Sequence, residues 1–211
     1  MDESGRLLDR LLRRKDVGRL VRVLKDFDAE THGHSLRVAR LAILLGLEDG
    51  LPVKALENLA VAAVLHDLGK ARLDASIFRK KGPLTAQEQA IVRRHPVLAA
   101  GDVAALEAFP DAHRIVPLHH ELQGPASYPR SGRDRRAPRE GSASERRRPV
   151  TGGLLRAGRI LALADRFDAL VSRRSYKDPV PEAEVRERLG REMPDVAPLL
   201  RAVHRRRRPD R

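Results

Sequence analysis

Most of the histidines in this chain lie beside carboxylates or other histidines, at spacings that allow several side chains to bind one ion. Glu30 and His34 are four residues apart, which places both on one face of a helix. Asp165 follows the apolar run 160–164, where an unpaired buried carboxylate would be costly and a cation would compensate its charge. The candidate metal ligands are Glu30, His34, His66, Asp67, His95, His119, His120 and Asp165.

Imidazole and carboxylate donors without sulfur suit iron, manganese, zinc or nickel. Cysteine is absent, which excludes thiolate zinc sites, disulfides and cysteine nucleophiles. The candidate set is too large for one ion and is the right size for two or three ions that share a bridging carboxylate. Two ions about 3.5–4 Å apart can bridge a hydroxide and clamp a phosphate for in-line phosphoester hydrolysis. His32, His113 and His204 fit the ordinary alternative, a surface or core histidine without a ligand role.

The elements that must position these ligands are predicted to be helices, because apolar residues recur at three- and four-residue steps. The leucine-rich segment 7–24 shows this pattern, with a break near residues 16–18. A second helix is predicted from about 30 to 45, with Gly46 as its C-terminal cap. A third begins at Pro52 and ends at residues 66–70, where Gly69 permits a turn.

The second half of the chain is also predicted to be helical. Thr85 and Glu88 have the spacing of a capping box, which opens a fourth helix. Pro96 is expected to end or kink that helix just after His95. Further helices are predicted at about 97–107, 111–121, 154–172, 182–190 and 195–204. The ligand hypothesis therefore requires side chains from five separated helices to converge.

Strand signals are nearly absent, so the predicted fold class is all-α, a helical bundle around a multinuclear metal site. Residues 122–153 contain Gly, Pro, Ser and Arg with few apolar residues, and are predicted to be a long loop. The predicted organisation has a helical segment at 1–29 that packs on the core. The domain that carries the candidate ligands follows at 30–205 with the Arg-rich loop as an insertion, and a basic tail follows at 206–211.

The composition excludes several other classes of protein. The chain has 211 residues, of which 41% are hydrophobic, enough to bury a core. Because no apolar window of about 18 residues and no secretory signal is found, the expected location is the cytoplasm. The net charge of +13 lies mostly in residues 130–149 and 201–211, and aromatic residues make up only 3%. Nucleic-acid binding is therefore not favoured, and the basic tail could equally contact acidic partners.

The order of these motifs resembles the HD-GYP family, a branch of the HD metal-dependent phosphohydrolases. The resemblance runs from about residue 30 to residue 176 and more loosely to about 203. The matching segments are E-T-H-G-H-S-L-R-V-A-R-L-A at 30–42, L-H-D-L-G-K at 65–70, K-G-P-L-T-A-Q-E at 81–88, H-P at 95–96, H-H-E at 119–121, Y-P at 128–129, R-I-L-A-L-A-D-R-F-D-A-L at 159–170 and R-R-S-Y-K at 173–177.

This resemblance implies an all-helical fold around a two- or three-metal centre, usually of iron or manganese. It implies hydrolysis of the bacterial messenger cyclic di-GMP to pGpG, and in some members onward to GMP, in signal transduction. The metal ligands that the resemblance implies are His34, His66, Asp67, His95, His119, His120 and Asp165. By the same resemblance Asp67 would bridge two ions, and Glu30 would serve a third.

The resemblance also implies residues that act on the substrate. Lys70 would contact the substrate phosphate or assist the leaving oxygen. Arg174 and Lys177 would hold the phosphates and the guanine, with Asp168 nearby, and Tyr128 is also assigned to substrate binding. A dianionic substrate favours such cations, and arginine suits bidentate contact with phosphate.

The loop after the His-His-Glu motif departs from the family pattern. The family has Asp-Gly-X-Gly-Tyr-Pro, whereas here Gly124 replaces the Asp, and Pro125 and Ser127 replace the two glycines. Proline cannot copy a glycine that needs positive φ, so the GYP loop is interpreted as degenerate. The sequence shows no sensor or receiver domain, so input is expected from a separate signalling protein.

Two alternatives to cyclic di-GMP hydrolysis stay open at this point. The lost glycines favour an HD phosphohydrolase that acts on another nucleotide or phosphoester. The degenerate loop and the missing sensor domain favour a non-catalytic module that binds cyclic di-GMP or a signalling partner.

Overall fold

The structure is a computed structural model that describes residues 2–80, 82–121, 151–172 and 178–207, with only the backbone of 121 and 205–207. Within these ranges it contains helices and no strand. The helices are α1 Glu3–Leu12, α2 Lys15–Phe27, α3 Ala29–Glu48, α4 Val53–Leu65, α5 Ala75–Arg79, α6 Ala86–Val92, α7 His95–Val103, α8 Ala112–Ile115, α9 Leu118–Glu121, α10 Gly152–Val171, α11 Glu182–Glu192 and α12 Pro198–Arg207. A 3₁₀ helix, Leu68–Arg72, lies between α4 and α5.

Helices α3, α4 and α10 form the centre of the molecule and pack against one another. Residues 58–65 of α4 and 160–164 of α10 are buried without interruption. A helix that is apolar on all sides belongs in an interior, because it has no polar face to present to water. Amphipathic α1 and α2 cover α3 and α4 with Leu8, Leu11 and Leu24. The candidate ligands on or next to α3, α4 and α10 therefore lie where these helices meet.

The break between the first two helices and the role of Gly46 differ from the prediction. The break between α1 and α2 falls at residues 13–14, and Gly18 lies inside α2, where a Cβ would come within 2.8 Å of the Leu12 carbonyl oxygen. Gly46 does not cap α3, which continues to Glu48. A Cβ on Gly46 would lie 2.7 Å from Leu56 Cδ1, so the missing side chain makes room for α4. The left-handed turn after α3 is at Gly50, with φ of 73°.

Helix α7 corrects the predicted position of His95. The capping box is present, with Thr85 accepting from the Glu88 backbone and Glu88 accepting from the Thr85 backbone. The helix that it opens ends at Val92, however, and α7 begins at His95. Pro96 lies in the first turn of α7, where its missing N–H has no helical partner to lose. His95 therefore begins a helix instead of ending one.

Helix α10 begins at Gly152, two residues before its predicted start. Residues 122–150, most of the predicted loop and the whole GYP-like segment after residue 121, lie outside the described residues. Among the helices that the structure describes, none combines the length and the apolar character needed to cross a bilayer.

Candidate metal centre

Seven of the eight predicted metal ligands lie together in the structure. They form three overlapping groups in which one ligating atom of each residue lies within 4.8 Å of those of the others. The groups are His34, His66 and Asp67; His66, His119 and Asp165; and His95, His119 and His120. Because His66 and His119 each belong to two groups, the three groups form one continuous cluster. Five segments contribute to it: α3, the end of α4, the start of α7, α9 and α10.

Glu30 is the predicted ligand that the structure does not place in this cluster. It lies in the first turn of α3, its side chain is exposed, and it belongs to none of the three groups. Its role at a third ion stays a prediction.

Three histidines of the cluster share one hydrogen bond that fixes their tautomer. In each, ring Nδ1 donates to the backbone carbonyl three residues earlier, because a carbonyl oxygen can only accept. The pairs are His66 with Ala63, His95 with Val92, and His119 with Val116. When one of these rings is neutral, its lone pair therefore lies on Nε2, the atom directed into the cluster. This local contact has no signature in the sequence.

The donor atoms fit a divalent cation. Within the described part of the chain, the buried Nε2 atoms of His66 and His119 have no hydrogen-bond partner. Burial of both rings lowers their pKa values, so both are neutral at pH 7. A buried basic nitrogen with a free lone pair is costly unless something binds it, and a metal ion satisfies it directly. Asp67 and Asp165 supply the negative charge that such an ion requires.

Asp67 contacts two histidines and one lysine of the site. It lies 3.2 Å from His95 Nε2 and 3.5 Å from His66 Nε2, and it accepts a 2.7 Å hydrogen bond from Lys70 Nζ. Burial alone would raise its pKa, but the ammonium charge of Lys70 and the contacts with the His66 and His95 rings outweigh burial and hold the pKa well below its usual range. Asp67 is therefore ionised, between two imidazoles and an ammonium group.

Gly69 brings Asp67 and Lys70 against the start of α7. A Cβ at Gly69 would lie 2.0 Å from the His95 carbonyl oxygen and 2.7 Å from the Ala99 backbone nitrogen. The 3₁₀ helix and α7 thus touch backbone to backbone, which only glycine allows. The helix ends in this segment as predicted, but the φ of Gly69 is not positive, and the glycine is required instead by this close approach.

Asp168 contacts His34 on the side of the ring that faces away from the cluster. Its Oδ2 pairs with His34 Nδ1 at 2.7 Å, and both of its oxygens accept from Arg37, at 2.8 and 3.0 Å. Ser172 Oγ donates to Oδ1 at 3.0 Å. With these partners, Asp168 orients the His34 ring so that Nε2 points to Asp165, 3.1 Å away. The His34–Arg37 and Asp165–Asp168 spacings of three residues could have indicated this shared face.

Replacing Asp168 by alanine is expected to weaken metal affinity by about 10–100-fold, because a ligating histidine loses the carboxylate that orients it. Competition between the protein and a metal chelator measures this affinity. Ser172→Ala is the matched control, since it removes only a hydroxyl from the same carboxylate, and its affinity should stay within about twofold of wild type. An unchanged affinity in Asp168→Ala would show that His34 does not need this partner.

His34 is charged in the metal-free cluster. Burial opposes its protonation, but hydrogen bonds to Asp165 and Asp168 outweigh burial and raise its pKa to about 9. The pKa of Asp168 is shifted in the opposite direction, downward. Although burial opposes its ionisation, His34 and Arg37 lower its pKa to about 2. Without metal, His34 is thus an imidazolium between two carboxylates, and a proton occupies the position that a cation could take.

The metal-free protein is expected to be most stable near pH 6.5. His34 has a folded pKa of about 9, above the ordinary histidine value of about 6.5, so its contribution to stability is complete below pH 6.5 and is lost as the pH rises toward 9. The lowered pKa values of His66 and His119 act on the acid side. At acidic pH these two histidines bind protons in the unfolded state but not in the folded state. The free energy of unfolding therefore decreases as the pH falls.

Urea unfolding in the presence of a chelator, from pH 5 to pH 9.5, measures this profile. His34→Gln should remove the decline between pH 7 and pH 9, because glutamine does not titrate. His113→Gln, at a half-buried position outside the cluster, should keep the decline. A decline that persists in His34→Gln would assign the effect to other groups.

A cavity of about 230 Å³ opens onto the cluster. Its lining residues are His34, Asp67, Lys70, His120, Asp165, Arg166 and Ala169. Lys70 therefore faces the same space as the carboxylates. The predicted substrate residues Tyr128, Arg174 and Lys177 lie outside the described residues, so their roles stay predictions.

The fold and the site define an all-helical domain with a buried histidine–carboxylate centre suited to divalent metal ions. Residues 31–170 match the HD domain family, and the chain belongs to this family. The predicted all-α fold class is confirmed.

Three curated proteins are similar to this chain over most of its length. The chain is 32% identical over 175 residues to a cyclic di-GMP phosphodiesterase of Thermotoga maritima, covering 80% of this chain and 42% of the relative. It is 34% identical over 169 residues to 3'3'-cGAMP-specific phosphodiesterase 2 of Vibrio cholerae, covering 76% and 28%. The cyclic di-GMP phosphodiesterase response regulator RpfG of Xanthomonas campestris is 29% identical over 167 residues, covering 78% and 40%. The chain thus spans less than half the length of these relatives.

Proposed function

We propose that this chain is an HD-GYP-type phosphodiesterase domain that hydrolyses cyclic di-GMP to pGpG. The observation that carries the proposal is the convergence of seven imidazole and carboxylate side chains beside a cavity that Lys70 also lines. The relatives named as cyclic di-GMP phosphodiesterases support the substrate class. Iron or manganese is the proposed metal, in two or three ions.

Two kinds of chemistry would meet in this cavity. Divalent ions held by the cluster would supply Lewis-acid chemistry, which stabilises negative charge on phosphate oxygens. The chain itself supplies Lys70, whose ammonium group has three N–H donors. Lys70 can keep its bond to Asp67 and still donate to a phosphate oxygen of the substrate. Asp67 in turn holds Lys70 in place through the 2.7 Å hydrogen bond.

The seven residues of the described cluster all lie before or after the loop predicted at 122–153. Because the metal ligands lie in helices on either side of it, we propose that the changes at Gly124, Pro125 and Ser127 leave the metal centre intact. We propose that this loop affects substrate affinity and the contact with a separate signalling protein that supplies regulatory input.

Protein purified under anaerobic conditions with Fe²⁺ or Mn²⁺ tests the proposed function. Chromatography should show conversion of cyclic di-GMP to pGpG, and a chelator should stop it. No turnover of cyclic di-GMP with either metal overturns the proposal. Calorimetric binding of cyclic di-GMP without turnover would instead identify a non-catalytic binding module.

A second candidate is an HD phosphohydrolase that acts on another nucleotide. It is favoured by the similarity to a relative named as 3'3'-cGAMP-specific. The same assay with 3'3'-cGAMP and bis(p-nitrophenyl) phosphate separates the two candidates. A kcat/KM for either compound well above that for cyclic di-GMP would decide for the second.

A further inference from the structure

Arg166 is a cation of the cavity that was not among the residues predicted from the sequence. It follows Asp165 directly on α10 and lines the cavity together with Lys70. Its side chain is 19% exposed, so the guanidinium group lies between the buried cluster and solvent. Arginine presents several N–H donors in a planar fork that matches the oxygens of a phosphate.

Arg166 is held by an acid from the neighbouring helix. Its Nη2 donates to Glu192 Oε2, on the last turn of α11. The second oxygen of Glu192, Oε1, accepts a 3.0 Å hydrogen bond from Arg188 Nε. One carboxylate is thus shared between two guanidinium groups, of which only Arg166 lines the cavity.

We infer that Arg166 binds a phosphate group of the nucleotide substrate and that Glu192 competes with the substrate for it. This inference rests on the proposed function. The competition follows from charge, because a guanidinium paired with a carboxylate attracts a phosphate less strongly than an unpaired one.

The shared carboxylate makes the release of Arg166 easy. When Arg166 turns to the phosphate, Glu192 keeps its bond to Arg188 and is not left without a partner. Glu192 is also 34% exposed, and ion pairs at that exposure are weak. A charge-assisted contact with a phosphate inside the cavity is stronger, because it is better shielded from water.

Steady-state kinetics of two single variants and their double variant test the inference. Arg166→Gln should raise the KM for cyclic di-GMP about tenfold with a smaller change in kcat, as loss of one charge-assisted contact predicts. Glu192→Gln should lower KM about threefold, since the competing carboxylate is neutralised. The double variant should have the KM of Arg166→Gln, because the effect of Glu192 requires Arg166.

Two charge-matched variants on α11 serve as controls. Arg191 and Glu187 pair with each other at 2.7 Å, are 71% and 72% exposed, and do not line the cavity. Arg191→Gln and Glu187→Gln should leave KM within about twofold of wild type. The inhibition constant of pGpG, measured on the same proteins, should rank the variants in the same order as KM. It reports nucleotide binding without a contribution from the chemical step.

The two signs of the KM change distinguish a binding role from a structural one. If Arg166 and Glu192 only stabilise the packing of α10 and α11, both single variants shift KM in the same direction, and this overturns the inference. A KM for Arg166→Gln within twofold of wild type also overturns it. Lack of turnover by the wild-type protein is a different result, because it overturns the proposed function itself.

Discussion

Replacing Asp67 by alanine is expected to lower cyclic di-GMP hydrolysis by at least about 10³-fold and to reduce the metal content of the purified protein. The physical reason is the position of its carboxylate, which contacts His66, His95 and Lys70 at once. Without it, Lys70 loses the acceptor that holds it, and the cluster loses one of its two carboxylates. Elemental analysis and the chromatographic assay measure the two effects.

Asp102→Ala is the matched control for Asp67→Ala. Asp102 lies on α7, and its carboxylate accepts a 3.0 Å hydrogen bond from Arg72 near the surface. Removing it should leave metal content and turnover within about twofold of wild type, as is usual for an exposed ion pair. Full metal content and normal turnover in Asp67→Ala would contradict the proposed site.

Replacing Gly69 by alanine is expected to destabilise the protein by about 3 kcal/mol or more, at the upper end for overpacking a rigid contact. The added Cβ would lie 2.0 Å from the His95 carbonyl oxygen, and this neighbour is backbone, so no side chain can move aside. The 3₁₀ helix and α7 must separate, which moves Asp67 away from His95. Urea unfolding gives the loss of stability, and a chelator competition gives the loss of metal affinity.

Gly101→Ala provides the comparison within the same region. Gly101 lies inside α7, and a Cβ there would meet nothing within 4 Å. Alanine at an exposed helical position should stabilise the protein by up to about 1 kcal/mol. If Gly69→Ala unfolds at the same urea concentration as wild type, the backbone contact between the 3₁₀ helix and α7 is not as close as described.

The helical class and the group of candidate ligands followed from local features of the sequence. Apolar residues at three- and four-residue steps predict helices wherever they occur, because the period of the helix is local. Histidine and aspartate can bind metal wherever they occur in a chain, so residue type and spacing alone indicated the candidate ligands. The prediction included Glu30, whose spacing from His34 is right but whose side chain is exposed at the start of α3.

Helix ends near the site were predicted less well, because one residue type serves two roles. Pro96 is compatible with the end of one helix or the first turn of the next, and the local sequence does not choose between them. Glycine presents the same ambiguity. From the sequence, Gly46 and Gly69 could each cap a helix or make a turn. In the structure Gly46 makes room for α4 and Gly69 makes room for α7.

The sequence by itself determined which side chains could bind metal and that helices carry them, because residue chemistry and helical period are local properties. Only the tertiary structure decided which of these side chains come together and which other residues hold them in position. The contact of Asp168 with His34 joins residues 134 positions apart, and that of Arg166 with Glu192 joins residues 26 apart. Such contacts depend on how α3, α10 and α11 pack, and packing is a property of the whole chain.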